Sequence, residues 1–355
     1  MEQHGKVSGR QKQLLKIGVT EDHFSQSLAS SAWYPVFLES QSQQGHTDQT
    51  PQDWQIDLGN YCNSACIFCT PHSSSRLATE FRQLGLIDQM PPRSWCDDPA
   101  QLESFIRSLT QCSRLVYLHF IGGETLITPA FARILQALID YKLHQQITIG
   151  FTTNLTVWDP DTVDLLSKFQ QVNLGMSIEC LHPLNDYVRY GSSLNDVNSI
   201  MQQWLGVARE NSWLVQLRTT PTVLTVWHLH TVYDFAWRHG LAIESCNFLD
   251  RPEFMRPSVL PQPLRQQVIQ RLRQWMDSRP PVQHQRLING RDPNQYQQQL
   301  LQDINSYVNY LDAQPDESHR LPDLVGYLRR LESSRGNRIL DYLPEYESIL
   351  RSAGY

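Results

Sequence analysis

From Trp54 onward the chain alternates short apolar runs with longer stretches of helical periodicity. The runs at residues 115–118 and 147–151 are short and rich in residues suited to buried parallel strands. The pattern predicts strands near 54–58, 115–121, 147–152, 172–178, 214–220 and 243–249. Between the strands it predicts helices near 74–84, 129–143, 160–169, 195–209 and 228–239.

Strands that alternate with helices imply right-handed crossovers and a parallel sheet. Six such strands predict an α/β fold of the open partial (β/α)6 barrel type. Ligands in parallel α/β folds bind outside the carboxyl ends of the strands. Polar residues that directly follow the first four predicted strands are therefore expected to share one rim of the barrel.

The two ends of the chain differ from the middle in composition and in hydrophobic pattern. Residues 1–50 are polar and rich in Gln and Ser, which is typical of an arm or linker, and an apolar patch at residues 33–38 is a candidate for docking on the main body. After residue 250 prolines interrupt the pattern, and helices are predicted near 264–277, 295–311, 322–334 and 341–352. We therefore predict a core domain at 51–250 and a mainly helical C-terminal extension at 251–355.

The crossover between residues 76 and 111 is longer than usual. A long loop inside a compact domain is often functional, and we expect an ordered loop around residues 91–95.

Composition excludes several classes of function. The chain of 355 residues has a formal net charge of −6 and a pI near 6.0, so general binding to nucleic acid or anionic membranes is not expected. No apolar run is long enough to span a bilayer, and the first residues lack the apolar segment of a signal peptide. Seven cysteines without a pairing pattern fit a reducing compartment. We expect a soluble cytoplasmic protein.

Three of these cysteines, Cys62, Cys66 and Cys69, lie in one short loop. A four-iron cluster is normally closed by four cysteines, so three thiolates leave one iron without a protein ligand. Such a position is open to a small molecule, as the fourth position of a catalytic zinc site is. The alternative is a structural zinc site closed by His72.

Polar or glycine-containing motifs follow the next three predicted strands, at residues 122–124, 152–154 and 177–179. Two glycines after a strand allow the backbone to approach a ligand closely, although they are also an ordinary turn signal. Ser177 and Glu179 point the same way on a strand, which favours a shared ligand. The alternative for these polar groups is a strand end that meets water, or a helix cap at Asn154.

Arg218 is a cation in an otherwise apolar predicted strand. A buried arginine requires a partner, which predicts a bound carboxylate. A structural salt bridge with Glu179 or Glu244 is the alternative.

The cysteine spacing, with Phe68 directly before the third cysteine, and the three motifs in this order resemble the radical S-adenosylmethionine (SAM) superfamily over roughly residues 52–250. The resemblance implies a 4Fe–4S cluster on Cys62, Cys66 and Cys69, with SAM bound at the open iron. It places Phe68 at the adenine, with a core position as the alternative, and Glu124 at the ammonium of SAM. The implied SAM contacts are Phe68, Gly122, Gly123, Glu124, Thr153, Asn154, Ser177, Glu179 and Arg218.

The same resemblance implies the reaction and the partners. The reduced cluster gives an electron to SAM, and the 5′-deoxyadenosyl radical that results takes hydrogen from a substrate. A ferredoxin-type or flavodoxin-type electron donor is implied. The sequence does not identify the residue that quenches the substrate radical.

Within the superfamily the chain is most similar to the twitch-domain group, related to peptide-maturing enzymes. Residues 71–75, the proline-rich exit at 249–260 and the tail at 335–338 carry that similarity, whereas cysteines for a further cluster are missing after Cys246. A peptide or protein side chain is the first substrate hypothesis. A small metabolite or nucleotide is the second, and a non-catalytic iron–sulfur or zinc protein is the third.

Overall fold

The structure is a computed structural model that describes Gln26, Ala29 and residues 34–46, 50–92, 94–244, 249–279 and 292–355. The end of the sixth predicted strand, at residues 245–248, lies outside these ranges, and so does Trp33 of the apolar patch.

A parallel sheet of six strands lies at the centre of the described part of the chain. Its strands are β1 (Asp53–Asp57), β3 (Tyr117–Ile121), β4 (Thr148–Thr153), β5 (Gln171–Ser177), β7 (Leu214–Arg218) and β8 (Ala242–Glu244). The spatial order β1-β3-β4-β5-β7-β8 follows the chain, and right-handed crossovers without a reversal of order all fall on one face of the sheet. The predicted α/β fold with its parallel barrel-type sheet is confirmed.

The two faces of this sheet differ in chemistry. On β3 and β4 the alternate residues Leu118, Phe120, Ile149 and Phe151 are fully buried in the core under the helices. The residues between them face the opposite side, because side chains alternate along a strand. We call that side the lumen, and it is lined by Tyr117, His119, Gly150, Thr152, Asn173, Gly175, Gln216 and Arg218. The strands are thus apolar on the face that packs against the helices and mostly polar on the lumen face.

Helices connect the strands and follow the last one. They are α1 (Tyr34–Ser42), α2 (Ser75–Gln83), α3 (Pro99–Gln111), α4 (Pro129–Asp140), α5 (Pro160–Leu166), α6 (Leu184–Val188), α7 (Leu194–Glu210), α8 (His230–His239), α9 (Gln262–Ser278), α10 (Pro293–Ala313), α11 (Leu321–Arg335) and α12 (Glu347–Ser352). A two-residue strand pair, β2 (Ala65–Cys66) and β6 (Arg189–Tyr190), lies apart from the sheet. None of the helices in the described ranges combines the length and apolar composition that a membrane span requires.

The long crossover contains a helix that the sequence pattern did not predict. Helix α3 begins after Asp98, whose carboxylate accepts from the backbone N–H of Ala100 at 2.9 Å, and Pro99 occupies its first turn. An acidic cap followed by proline is a known helix start, so the sequence did carry the signal.

The apolar patch of the N-terminal arm is not docked. Helix α1 contains the described part of this patch and buries none of its residues, with Phe37 39% and Leu38 45% exposed. The proposed docking of the patch on the main body is therefore wrong for the described residues.

Candidate active site

The three cysteines lie in the segment that follows β1, which we call the cysteine loop (residues 59–69). Cys66 is in β2, where it pairs with Arg189 of β6, and it is buried, whereas Cys62 and Cys69 are half-buried. All three thiols are free of disulfide bonds. Burial raises the pKa of Cys66 to about 12 and that of Cys69 to about 11, and neighbouring thiols add to both rises. The thiols are thus close enough to interact electrostatically.

Three free thiols in one short loop are a donor set for a group that binds each thiolate on a different metal atom. Among the described residues, no three His, Cys, Asp or Glu side chains converge as the ligands of a single metal ion do. The cysteines of a four-iron cluster bind separate irons and do not need to converge on one point. A structural zinc site closed by His72 stays the alternative interpretation of these cysteines.

The glycine pair at 122–123 seats the cysteine loop on the end of β3. The backbone N–H of Gly123 donates to the carbonyl of Gly59 at 2.7 Å. A Cβ atom at Gly123 would lie 2.1 Å from the carbonyl oxygen of Tyr61, and Gly122 has a φ of +139°. Glycine is therefore required here by the close approach of two backbones, a reason that the strand-end pattern alone did not reveal.

Glu124 is fully buried and ties this turn to the end of β4. Its Oε1 accepts from the N–H of Leu126 at 3.2 Å, and its Oε2 accepts from the N–H of Asn154 at 2.5 Å. Burial raises its pKa although these hydrogen bonds and the charge of Arg189 oppose the rise. The predicted contact of Glu124 with the SAM ammonium stays a prediction, and the structure gives the carboxylate this additional role.

Asn154 joins β4 to the cysteine loop. Its Nδ2 donates to Asn63 Oδ1 at 2.9 Å and to Ser64 Oγ at 3.1 Å, and lies 3.9 Å from Cys62 Sγ. Its Oδ1 accepts from the N–H of Thr156 at 3.0 Å. The side chain therefore orients the loop between Cys62 and Cys66.

Glu179 forms a buried ion pair that sequence reasoning missed. Its Oε1 lies 2.7 Å from Arg189 Nη1, and both side chains are less than a tenth exposed. Its Oε2 accepts from the N–H of Thr220 at 2.7 Å. Burial raises the pKa of Glu179 despite the charge of Arg189. The ion pair with Arg189 is thus the charged contact that the structure gives Glu179, and the alternative pairing of Glu179 with Arg218 stays a prediction.

A cavity of about 250 Å³ opens between these motifs at the carboxyl ends of the strands. Of the predicted SAM contacts, it brings together all but Glu124. Its lining consists of Phe68, Ile121, Gly122, Gly123, Thr152, Thr153, Asn154, Ser177, Glu179, Arg189, Arg218 and Thr220. Arg189 and Thr220 are the charged and polar members that sequence reasoning missed, because no local pattern links them to the cysteines.

Arg218 lies over the backbone of Gly175, where a Cβ atom would be 2.7 Å from its Nε. With its amide oxygen turned toward the guanidinium, Gln216 accepts from Nε at 3.1 Å and from Nη2 at 2.9 Å. The side chain of Glu244, the other alternative partner, lies outside the described part of the structure. Phe68 both lines the cavity and packs against the core, so its two predicted positions are compatible.

The lumen below this cavity is polar around His119. The imidazole Nδ1 is 3.0 Å from the hydroxyl of Tyr117, and the residue is 8% exposed. Burial, with a smaller effect of Arg218, lowers the pKa of His119 to about 4, so the ring is neutral at pH 7. His182 and His228 stack at 3.8 Å between ring centroids in another part of the described structure.

Comparison with known proteins identifies the segment that carries the site. Residues 56–204 match the family model of the radical SAM superfamily. This segment, which is less than half of the chain, is similar to radical SAM domains. The predicted resemblance to the radical SAM superfamily is thus supported for residues 56–204, and the twitch-domain subgroup stays a prediction. A search of the curated proteins found no significant match.

Among solved structures, the chain is similar to Streptococcus suis SuiB bound to S-adenosylmethionine, with 18% identity, a TM-score of 0.38, and coverage of 63% of this chain and 48% of that one. It is also similar to anSMEcpe with bound AdoMet and the Kp18Cys peptide, with 15% identity, a TM-score of 0.44, and coverage of 64% and 61%. The chain thus spans about half the length of SuiB. With TM-scores below 0.5, these similarities support no conclusion about the substrate.

Proposed function

We propose that the protein reductively cleaves SAM at a 4Fe–4S cluster held by Cys62, Cys66 and Cys69 and uses the 5′-deoxyadenosyl radical to take hydrogen from a substrate. The observation that carries this proposal is that the cysteine loop and the cavity share one rim. Asn154 both lines the cavity and lies 3.9 Å from Cys62 Sγ. A cluster on these thiolates supplies the electron for cleavage of the carbon–sulfur bond.

The residues of the cavity suit the parts of SAM. Arg189 and Arg218 line the cavity and offer positive charge to the carboxylate of SAM. Ser177, Thr153 and Asn154 supply hydroxyl and amide groups for the ribose and the methionine part. Phe68 presents an aromatic ring to the adenine.

The experiment is anaerobic reconstitution with iron and sulfide, followed by reduction with dithionite in the presence of SAM. Formation of 5′-deoxyadenosine and methionine is expected. Cys66→Ala is expected to abolish it, because the cluster loses one of its three ligands. Cys112→Ser is the matched control, since Cys112 is also buried but bonds to Thr50 away from the cavity. Equal yields from Cys66→Ala and the wild-type protein would refute the cluster assignment.

We further propose that the substrate is a peptide or protein side chain. Beside Cys69 the surface forms an open groove of about 550 Å³ that is lined by Phe81, Phe254, Tyr327 and the charged Arg251 and Glu253. A groove with aromatic walls and charged residues can accept an extended chain with apolar and charged side chains. A one-electron donor of the ferredoxin or flavodoxin type would reduce the cluster, and the cytoplasm suits the free thiols.

The substrate class is tested by anaerobic turnover with candidate peptides, such as a small peptide encoded beside this gene. A peptide-dependent rise in 5′-deoxyadenosine of at least tenfold, with a mass change in the peptide, is expected. Stimulation by small metabolites or nucleotides instead of peptides would replace this proposal with the second substrate hypothesis.

A further inference from the structure

Helix α11 of the C-terminal extension contacts the cysteine loop through two hydrogen bonds. Tyr327 Oη donates to the carbonyl of Ile67 at 2.7 Å, and Arg335 Nη2 donates to the carbonyl of Ala65 at 2.9 Å. Ala65 and Ile67 are the residues on either side of Cys66. The helix therefore holds the main chain on both sides of the middle cysteine.

Arg335 is itself fixed by a buried ion pair with Glu80 of α2. Its Nε lies 2.8 Å from Oε1 and its Nη2 lies 2.6 Å from Oε2, and the arginine side chain is 2% exposed. Ser334 Oγ also donates to Glu80 Oε1 at 2.6 Å. The guanidinium lies 4.5 Å from the centroid of Tyr190, which belongs to the strand paired with Ala65. Such a planar, two-point contact has little freedom to move.

Tyr327 is held by aromatic contacts. Its ring meets Phe81 edge-on at 6.2 Å and Phe254 at 5.1 Å between centroids. The ring position thus does not depend on the hydroxyl group, so the hydrogen bond to Ile67 can be removed alone by a change to phenylalanine.

We propose that α11 fixes the conformation of the cysteine loop, a role that we call the clasp. In this role Tyr327 and Arg335 are positioning residues for Cys66. This inference rests on the proposed function, because the cluster is what the loop would hold. Both hydrogen bonds go to main-chain carbonyls that are about 260 and 270 residues away along the chain, so the C-terminal extension fixes a loop near the start of the core.

The test compares Tyr327→Phe and Arg335→Lys with Arg329→Lys, an exposed arginine on the same helix. Amide hydrogen exchange of residues 65–69 is measured in the cluster-free protein. Iron release to a chelator and the electron paramagnetic resonance spectrum of the reduced cluster are measured in the loaded protein. Since a net hydrogen bond is worth roughly 1 kcal/mol, Tyr327→Phe is expected to speed local exchange and iron release about fivefold.

The spectrum of the reduced cluster is expected to broaden in Tyr327→Phe, while the cluster-free variant melts within about 2 °C of the wild-type protein. Arg335→Lys keeps the charge but loses the two-point contact, so we expect a larger change, on the order of tenfold. Arg329→Lys is expected to match the wild-type protein in every measurement.

Exchange and iron release within twofold of the wild-type values in both variants would overturn the clasp. So would exchange that rises equally along the whole chain, because that result indicates general destabilisation. If the wild-type protein takes up no cluster, the proposed function fails, and exchange at residues 65–69 still decides whether α11 holds the loop.

Discussion

The cysteine loop and the lumen lie on neighbouring parts of the same barrel but differ in how completely the protein satisfies their polar groups. The loop accepts hydrogen bonds at Gly59, Tyr61, Ala65 and Ile67 from the end of β3 and from α11. In the lumen, the buried atoms His119 Nε2, Thr152 Oγ1 and Asn173 Oδ1 have no hydrogen-bond partner among the described residues.

This difference distinguishes the cysteine loop, which protein contacts hold in place, from the lumen, which can bind a ligand. A buried polar group without a partner costs free energy, so protein segments whose position must be fixed are usually satisfied internally. The cysteine loop meets that condition through protein contacts. The lumen retains hydrogen-bonding capacity for solvent or a ligand, and the neutral ring of His119 suits an uncharged group.

The largest expected effect is on the boundary between the two regions, at the Arg189–Glu179 pair. Arg189→Met leaves Glu179 buried without its cation, which typically costs about 3–5 kcal/mol in the free energy of unfolding. Urea denaturation of the cluster-free protein measures the loss. The double variant Arg189→Met/Glu179→Leu is expected to recover at least half of it, because the uncompensated charge is gone. If Arg189→Met lowers the free energy of unfolding by less than about 1 kcal/mol, the Arg189–Glu179 pair does not hold the cysteine loop and the lumen together.

The end of β4 offers a direct comparison of the two regions. Asn154→Ala removes hydrogen bonds to the cysteine loop and is expected to cost about 2–3 kcal/mol in the free energy of unfolding. Thr152→Val, two residues earlier, removes a lumen hydroxyl that has no hydrogen-bond partner among the described residues and is expected to change stability by less than about 0.5 kcal/mol. Equal costs in the two variants, measured by denaturant unfolding, would remove the distinction between a satisfied loop and an unsatisfied lumen.

The smallest expected effect is the pH dependence that His119 contributes. Its folded-state pKa of about 4 is below the unfolded value near 6.5, so the unfolded state binds the proton first as pH falls. Stability is therefore fully present above pH 6.5 and is lost between 6.5 and 4. Between pH 7.0 and 5.5 the wild-type protein is expected to lose about 1 kcal/mol more than His119→Gln. The same loss in both proteins would indicate that other groups carry the pH dependence.

The sequence predicted the strands well because each has alternate residues buried against helices. The predicted span 172–178, for example, corresponds to β5 at Gln171–Ser177. The cysteine spacing and the motifs after the strands were also visible, since parallel topology brings strand ends to one rim. Short apolar runs between helical stretches locate such strands without any knowledge of tertiary contacts.

The parts that were missed depend on contacts between distant segments. Arg189 belongs to a two-residue strand that pairs with Cys66 across more than a hundred residues, and so short a strand has no periodicity of its own. The role of Gly123 follows from the position of Tyr61, and the contact of Arg335 with Ala65 joins opposite ends of the chain. Local patterns do not contain this information.

The close approach of Gly123 to Tyr61 has a consequence for how this protein can vary. The atom of Tyr61 that meets the glycine is the carbonyl oxygen, and the tyrosine side chain is 54% exposed. A different side chain at position 61 is therefore expected to cost little stability. A single methyl group at position 123 would instead collide with the backbone of Tyr61 and separate the cysteine loop from the end of β3. Saturation mutagenesis should therefore yield many functional variants at position 61 and almost none at position 123.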